Sequence, residues 1–98
     1  MITALCFVHI EPNAINDAGS SIADIPGVKA AYSVTGEIDL IALIEVADHD
    51  GVATVVTDGI AKVPGVMSTQ THISFRTYAP SDIDAGTDAA PAAQPTAP

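Results

Sequence analysis

The apolar positions of the first 78 residues follow two periods in turn. Ile2 to Ile10 is a nearly continuous apolar run with β-branched and aromatic members, closed by Glu11-Pro12-Asn13. Its shortness and its flanks predict a strand covered on both faces. Ile15, Ala18, Ile22 and Ile25 then recur at spacings of three and four, which predicts an amphipathic helix with Asn13 as its N-cap. Gly19 and the pair Ser20-Ser21 weaken that helix, so it depends on a sheet to hold it. Pro26-Gly27 stops it.

From Val28 to Ala47 the period changes to two, with a break at Gly36, the pattern of a hairpin. Val28, Ala30, Tyr32 and Val34 share one face of the incoming strand, and Leu40, Ala42, Ile44 and Val46 one face of the outgoing strand, since side chains alternate. For both rows to lie on the same side, odd residues must pair with odd ones, for example Thr35 with Asp39. That register predicts the three-residue loop Gly36-Glu37-Ile38, with Gly36 or a neighbour at positive φ. The opposite face is mixed: Lys29, Ala31, Ser33, Thr35, Asp39, Ile41, Leu43 and Glu45. Its polar residues crowd the loop end, where function is expected.

Asp48-His49-Asp50 is a cap and first-turn signal. A second helix is expected from about Gly51 to Ala61, with Val52, Val55, Val56, Gly59, Ile60 and Val63 as its buried stripe and Lys62 in its last turn. Pro64-Gly65 ends it. A fourth strand is expected from Val66 to Tyr78. Its more apolar odd set, Met67, Thr69, Thr71, Ile73 and Phe75, is assigned to the helix side, and its even set, Val66, Ser68, Gln70, His72 and Ser74, to the open face. Ala79 to Pro98 holds mainly Ala, Pro, Asp, Thr and Gly. It cannot bury enough to offset its ordering entropy, and is read as a disordered tail after a domain of residues 1–78.

Ile25-Pro26-Gly27-Val28 and Val63-Pro64-Gly65-Val66 are an internal repeat. Each follows a helix and opens a strand, so the order is βαββαβ, two βαβ halves. Right-handed crossovers place both helices on one side of a four-stranded antiparallel sheet. The predicted fold is α+β, the ferredoxin-like split βαβ arrangement. Its other face carries Leu5, Phe7, Ile41 and Leu43 among polar residues, an apolar patch that predicts a homodimer with open faces together.

Charge narrows the function. The formal net charge is −9, with Lys29, Lys62 and Arg76 as the permanent cations. Nucleic acid requires clustered Lys and Arg, and anionic membranes disfavour such a chain. The single cysteine, Cys6, excludes an internal disulfide and reads as core filler. Met1-Ile2-Thr3 has no basic leader region, and no apolar run approaches the roughly 18 residues of a membrane span; the expected location is the cytoplasm. His9 and Glu11 share a strand-end face and read as a rim pair. His49 reads as an exposed first-turn residue, and His72 as a polar strand residue. No nucleophile–base spacing, metal-ligand cluster or phosphate loop is present, so no cofactor is expected.

Val34-Thr35-Gly36-Glu37-Ile38-Asp39-Leu40-Ile41, then Asp48, a helix, Val63-Pro64-Gly65-Val66 and Ser68-Thr69-Gln70-Thr71 resemble the effector-binding domain of the Lrp/AsnC family of transcriptional regulators, also called the RAM domain. The resemblance covers about residues 1–78. It implies a dimeric α/β-barrel-like unit that assembles further, commonly to an octamer, with an amino acid bound between dimers near the hairpin loop. Carried over by motif, Thr35, Gly36, Glu37 and Asp39 would meet the ligand, with Ser68, Gln70 and Thr71 from the last strand. Asp39 would accept from the ammonium, and backbone N–H groups near Gly36 and hydroxyls would donate to the carboxylate. Full-length members carry an N-terminal helix-turn-helix domain; here the first strand begins at Ile2 and no basic recognition helix exists. The chain thus resembles the stand-alone domain, expected to act through a partner such as a full-length regulator.

Three functions remain in competition. The first is an oligomeric sensor of an amino acid or related metabolite. The second is a small cofactor-independent enzyme of the dimeric α+β barrel type, for which His9, His72 and Asp39 are the candidate groups. The third is a structural or adaptor oligomer with an empty pocket.

Overall fold

In the computed structural model, which describes residues 1–80, β1 (Ile2–Ile10) is an inner strand of the sheet. The tail expected from Ala79 lies, from residue 81 on, outside the described residues. After β1 come a 3-10 turn (Pro12–Ala14), α1 (Ile15–Ala23), β2 (Val28–Ser33), β3 (Leu40–Val46), α2 (His49–Ala53, continued by wider and tighter turns to Lys62) and β4 (Val66–Ile73). The strands are antiparallel throughout, in the order β2-β3-β1-β4. This is the expected βαββαβ arrangement.

The core lies between the sheet and the helices. Ala4, Cys6, Val8 and Ile10 of β1 meet Leu40, Ala42 and Ile44 of β3 beneath Ala18 and Ile22 of α1 and Val52, Val55 and Ile60 of the second helical stretch. Each large aliphatic buried in this way contributes about 1.5–3 kcal/mol. No charged or polar side chain is buried among the described residues.

The repeat has a structural counterpart in each half. The Val28 N–H donates to the Ile25 carbonyl at 3.0 Å, and the Val66 N–H to the Val63 carbonyl at 3.1 Å. Gly27 has φ 99° and Gly65 φ 95°. Both are β-turns of the type that takes Pro at its second position and a positive-φ residue at its third. A Cβ would stand 2.6 Å from Val55 at Gly27 and 2.5 Å from Ala14 at Gly65, so close packing requires glycine as much as φ does. The Gly27 carbonyl then accepts from the Glu45 N–H, and the Gly65 carbonyl from the Glu11 N–H, both at 2.9 Å.

A β-bulge follows each turn and corrects the expected faces. Val28 pairs with Ile44 but Ala30 with Leu43, so Lys29 is an extra residue and parity inverts beyond it. Ala31 and Ser33 thus share the helix side with Leu40 and Ala42, while Ala30 and Tyr32 turn to the open face. Ser33 pairs with Leu40 and the Val34 N–H donates to the Asp39 carbonyl at 3.2 Å. The loop is therefore Thr35–Ile38, four residues, and Thr35 does not pair with Asp39. In β4, Ile10 pairs with Val66 but His9 with Ser68. Met67 is the extruded residue and is exposed, and Val66 packs on the core. Beyond the bulge the expected parity holds: Thr69 and Thr71 lie on the helix side, Ser68, Gln70 and His72 on the open face.

Three boundaries also differ. Asn13 does not cap α1; the N-cap is Ala14, without a side-chain bond, because Pro12 starts a 3-10 turn first. Asp48 does cap α2, its carboxylate accepting from the Gly51 N–H at 2.9 Å. That helix is α over His49–Ala53, widens to a π-helix over Thr54–Gly59 and closes as a 3-10 turn over Ile60–Lys62. The wider turn explains why buried Val55 and Ile60 are five residues apart. Finally, β4 ends at Ile73 rather than Tyr78.

Candidate functional site

The hairpin loop, the end of β1 and the start of β4 meet at one end of the sheet. Gly36 takes φ 114° at the loop tip, with nothing but its chain neighbours within 4 Å of where its Cβ would be. Thr35 and Glu37 flank it and are exposed. Asp39 is the anchor. Its backbone N–H donates to the Val8 carbonyl at 3.1 Å, and its carboxylate Oδ2 accepts from the Ile10 N–H at 2.9 Å. The β1–β3 ladder ends at Val8 and Leu40; the carboxylate satisfies a strand N–H that the loop backbone leaves unpaired. Among the described residues its other oxygen has no hydrogen-bond partner.

Ser68 pairs with His9 and lies at the same end as Asp39, two strands away with β1 between them. Ser68 and His9 are exposed. Gln70 pairs with Phe7, one step further along. Thr35, Gly36, Glu37, Asp39, Ser68 and Gln70 are thus gathered at the loop end of the sheet and its open face. Thr71 is not with them. It lies on the helix side, where its Oγ1 contacts Cys6 Sγ at 3.5 Å. Burial pushes the Cys6 thiol up, partly offset by the Thr71 hydrogen bond. That thiol, 0% exposed, is core. A groove of about 300 Å³ between α2 and β4, which Val52, Val56, Thr71 and Ile73 help to line, also lies on the helix side, away from the loop.

The open face has an apolar centre. Two rows cross all four strands: Tyr32–Ile41–Phe7–Gln70 and Ala30–Leu43–Leu5–His72. The His72 ring is tilted 47° to Phe7 with centroids 5.1 Å apart, a diagonal cross-strand contact. Tyr32 is 52% exposed and Leu5 37%. Sequence reasoning did not place Tyr32 here. The signal that could have done so is the repeat itself: the residue after each Pro-Gly-Val is the bulge.

The arrangement presents carboxylates, hydroxyls and loop backbone at an exposed end, suited to holding a small polar molecule. His9, His72 and Asp39 sit on three different strands or their ends. Among the described residues no three His, Cys, Asp or Glu side chains gather as a metal cluster, and no helix is long and apolar enough to cross a membrane.

Known proteins share this fold. The family model of the Lrp/AsnC ligand binding domain matches residues 3–83. TTHA0845 from Thermus thermophilus is 40% identical, with a TM-score of 0.77 over 82% of this chain and 100% of that one. The HTH-type transcriptional regulator PH1916 of Pyrococcus horikoshii is 30% identical over 78 residues, 76% of this chain and 52% of the regulator. The chain spans about half the length of the curated relatives it matches. The transcriptional regulator NMB0573 of Neisseria meningitidis, solved in complex with L-Met, shares the fold at 23% identity, with a TM-score of 0.69 over 76% of this chain and 50% of that one.

Proposed function

This chain belongs to the Lrp/AsnC ligand-binding domain family, and we propose that it is an oligomeric sensor of an amino acid or related metabolite, bound between subunits at the loop end of the sheet. The observation that carries the reading is the Asp39 carboxylate. One oxygen pins the hairpin to the end of β1, and the other is left to meet an ammonium beside exposed loop N–H groups, with the Ser68 hydroxyl two strands away at the same end of the sheet. Occupancy of that carboxylate would be felt directly by the loop and by β1. The Neisseria regulator, which shares this fold over half of its chain, was solved in complex with L-Met. The site on one chain is a rim rather than a cavity, and a second subunit would supply its missing walls. The ligand contacts proposed are Thr35, Gly36, Glu37, Asp39, Ser68 and Gln70; Thr71, on the helix side against Cys6, is not among them.

A homodimer with open faces together covers the two apolar rows, and dimers assemble further around the loops. With a net charge of −9, this chain leaves DNA contact to a partner, for which a full-length regulator of the same family is suited. The reading is binding rather than catalysis, in keeping with relatives that are HTH-type transcriptional regulators.

The test is a thermal melt and light scattering with each of the twenty amino acids. One or a few should raise the melting temperature, because a ligand selective for the native state stabilises it, and should shift a discrete oligomer. Asp39→Asn keeps an acceptor for the Ile10 N–H and should fold nearly as stably as the parent, yet lose the response. Asp39→Ala orphans that N–H and should cost about 1–3 kcal/mol as well. A monomer indifferent to all twenty overturns the proposal.

A further inference from the structure

His72 is an ionisable side chain in an apolar setting. It stands on the open face opposite Leu5 of β1, in line with Leu43 and Ala30. Its ring centroid lies 5.1 Å from that of Phe7. In the single chain it is exposed. Among the described residues its imidazole has no hydrogen-bond partner and no ion pair. Of the two rows that cross the open face, only Tyr32 and His72 are ionisable, and only His72 can turn positive.

The other charged and titratable groups of this face stand off those rows. Glu45 of β3 pairs with Thr3 and is held by Lys29 at 3.5 Å. His9 of β1 pairs with Ser68 at the loop end, where the Asp39 carboxylate is engaged by the Ile10 N–H. Tyr32 lies on β2, at the far edge of the sheet. On β4 itself the neighbours of His72 on this face are Gln70 and Ser68, and Arg76 follows past the bend at Phe75. A second copy laid face to face brings the same set, with its apolar rows against these.

Neutral imidazole tolerates such cover and imidazolium does not. Its hydration is stripped with no acceptor to replace it, which disfavours the charged form. The Phe7 contact is made within one chain, so it is present whether or not the faces are paired. The net charge of −9 favours proton uptake by single and paired chains alike, and is screened beyond about 8 Å at physiological salt. Local desolvation is what differs between the two states.

We propose that the protonation of His72 controls the pairing of open faces: neutral, it lets two copies close, and protonated, it holds them apart. The inference rests on the proposed face-to-face dimer and adds what regulates it, a fall in pH through the range in which imidazole changes charge.

The full-length protein is diluted at several pH values between about 7.5 and 5.5, a window in which carboxylates ordinarily stay charged. Light scattering reads the dimer dissociation constant and circular dichroism the fold. An imidazole in water takes its proton near pH 6.5. Separating a dimer frees two of them, so the constant should rise by about a hundredfold across the window, with unchanged circular dichroism. His72→Gln keeps a neutral polar side chain and should give a constant that does not vary with pH. His9→Gln and His49→Gln should retain the rise. A dimer equally tight at every pH overturns the switch and leaves the face-to-face pairing standing. A rise that survives in His72→Gln assigns it to another group and overturns the proposal. Circular dichroism lost in step with dissociation makes the acid effect one of unfolding and overturns it too. A monomer at every pH overturns the pairing and the switch together.

Discussion

On the helix-covered side of the sheet, Ala4, Cys6, Val8, Ala42 and Ile44 are all 0% exposed; on the open side Leu5 and Tyr32 are exposed, and Phe7, Ile41 and Leu43 are half-buried. Both centres are apolar, and both use neighbouring residues of the same strands. What differs is cover. One face is closed by two helices within the chain and sets the stability of the fold. The other keeps an apolar centre that the chain itself does not close, and its value is realised by association. Alternation therefore divides each strand between two tasks, and a substitution should be judged by its face before its chemistry.

The sharpest way to break this comparison is a pair of truncations in β3. Ile44→Ala, under the helices, should lower the unfolding free energy by about 2–5 kcal/mol in urea titrations. Ile41→Ala, on the other face, should cost about 1 kcal/mol or less in dilute protein while weakening the dimer measured by light scattering. Equal losses in dilute protein would mean the open face already contributes to the single-chain core.

A smaller effect concerns pH and the closed face. In the unfolded chain the Cys6 thiol titrates near its ordinary value of about 8.5; in the native chain burial raises it. The unfolded state releases its proton first, so this contribution is intact below that ordinary value and is lost as pH rises towards the raised native one. Cys6→Ala should remove this part of the alkaline decline, at a cost of about 1 kcal/mol near neutrality. Urea midpoints between neutral and alkaline pH check it; identical pH profiles would place the thiol in a wetter setting than the structure gives.

The smallest expected effect lies at the rim. Lys29 Nζ stands 3.5 Å from Glu45 Oε1, with both side chains substantially solvated. Lys29→Ala should change stability by less than about 0.5 kcal/mol, and less still at high salt. A larger loss in melts at low and high salt would assign Lys29 a role in holding the β2 bulge.

Much of this fold was legible because its signals are local. The Pro-Gly-Val repeat, the Asp48 cap and the stripe of the second helix each act within a few residues. The faces of β2 were not legible. Ala30, Ala31 and Tyr32 offer no polar contrast to mark which side is inward, and one extruded residue, Lys29, inverts them. Strand β4 was drawn too long because Ser74 to Tyr78 have strand propensity, yet the ladder ends at Ile73 and the chain bends at Phe75. At the candidate site, the motif brought together the loop residues and Ser68 without knowledge of the sheet. The dual position of Asp39 was out of reach, since its bond to Ile10 spans 29 residues and exists only once β3 lies beside β1.

Cys6 has a use that follows from where it sits. It is sealed under α1 and α2 and held by Thr71 of β4, so a thiol reagent reaches it only when β4 peels away or the helices lift. With reagent in short supply, the labelling rate reads the equilibrium population of that opened form; with reagent in excess, it reads the rate of opening itself. The lone sulfur is thus a stopwatch for the outer strand, started by loosening and slowed by anything that clamps the sheet shut.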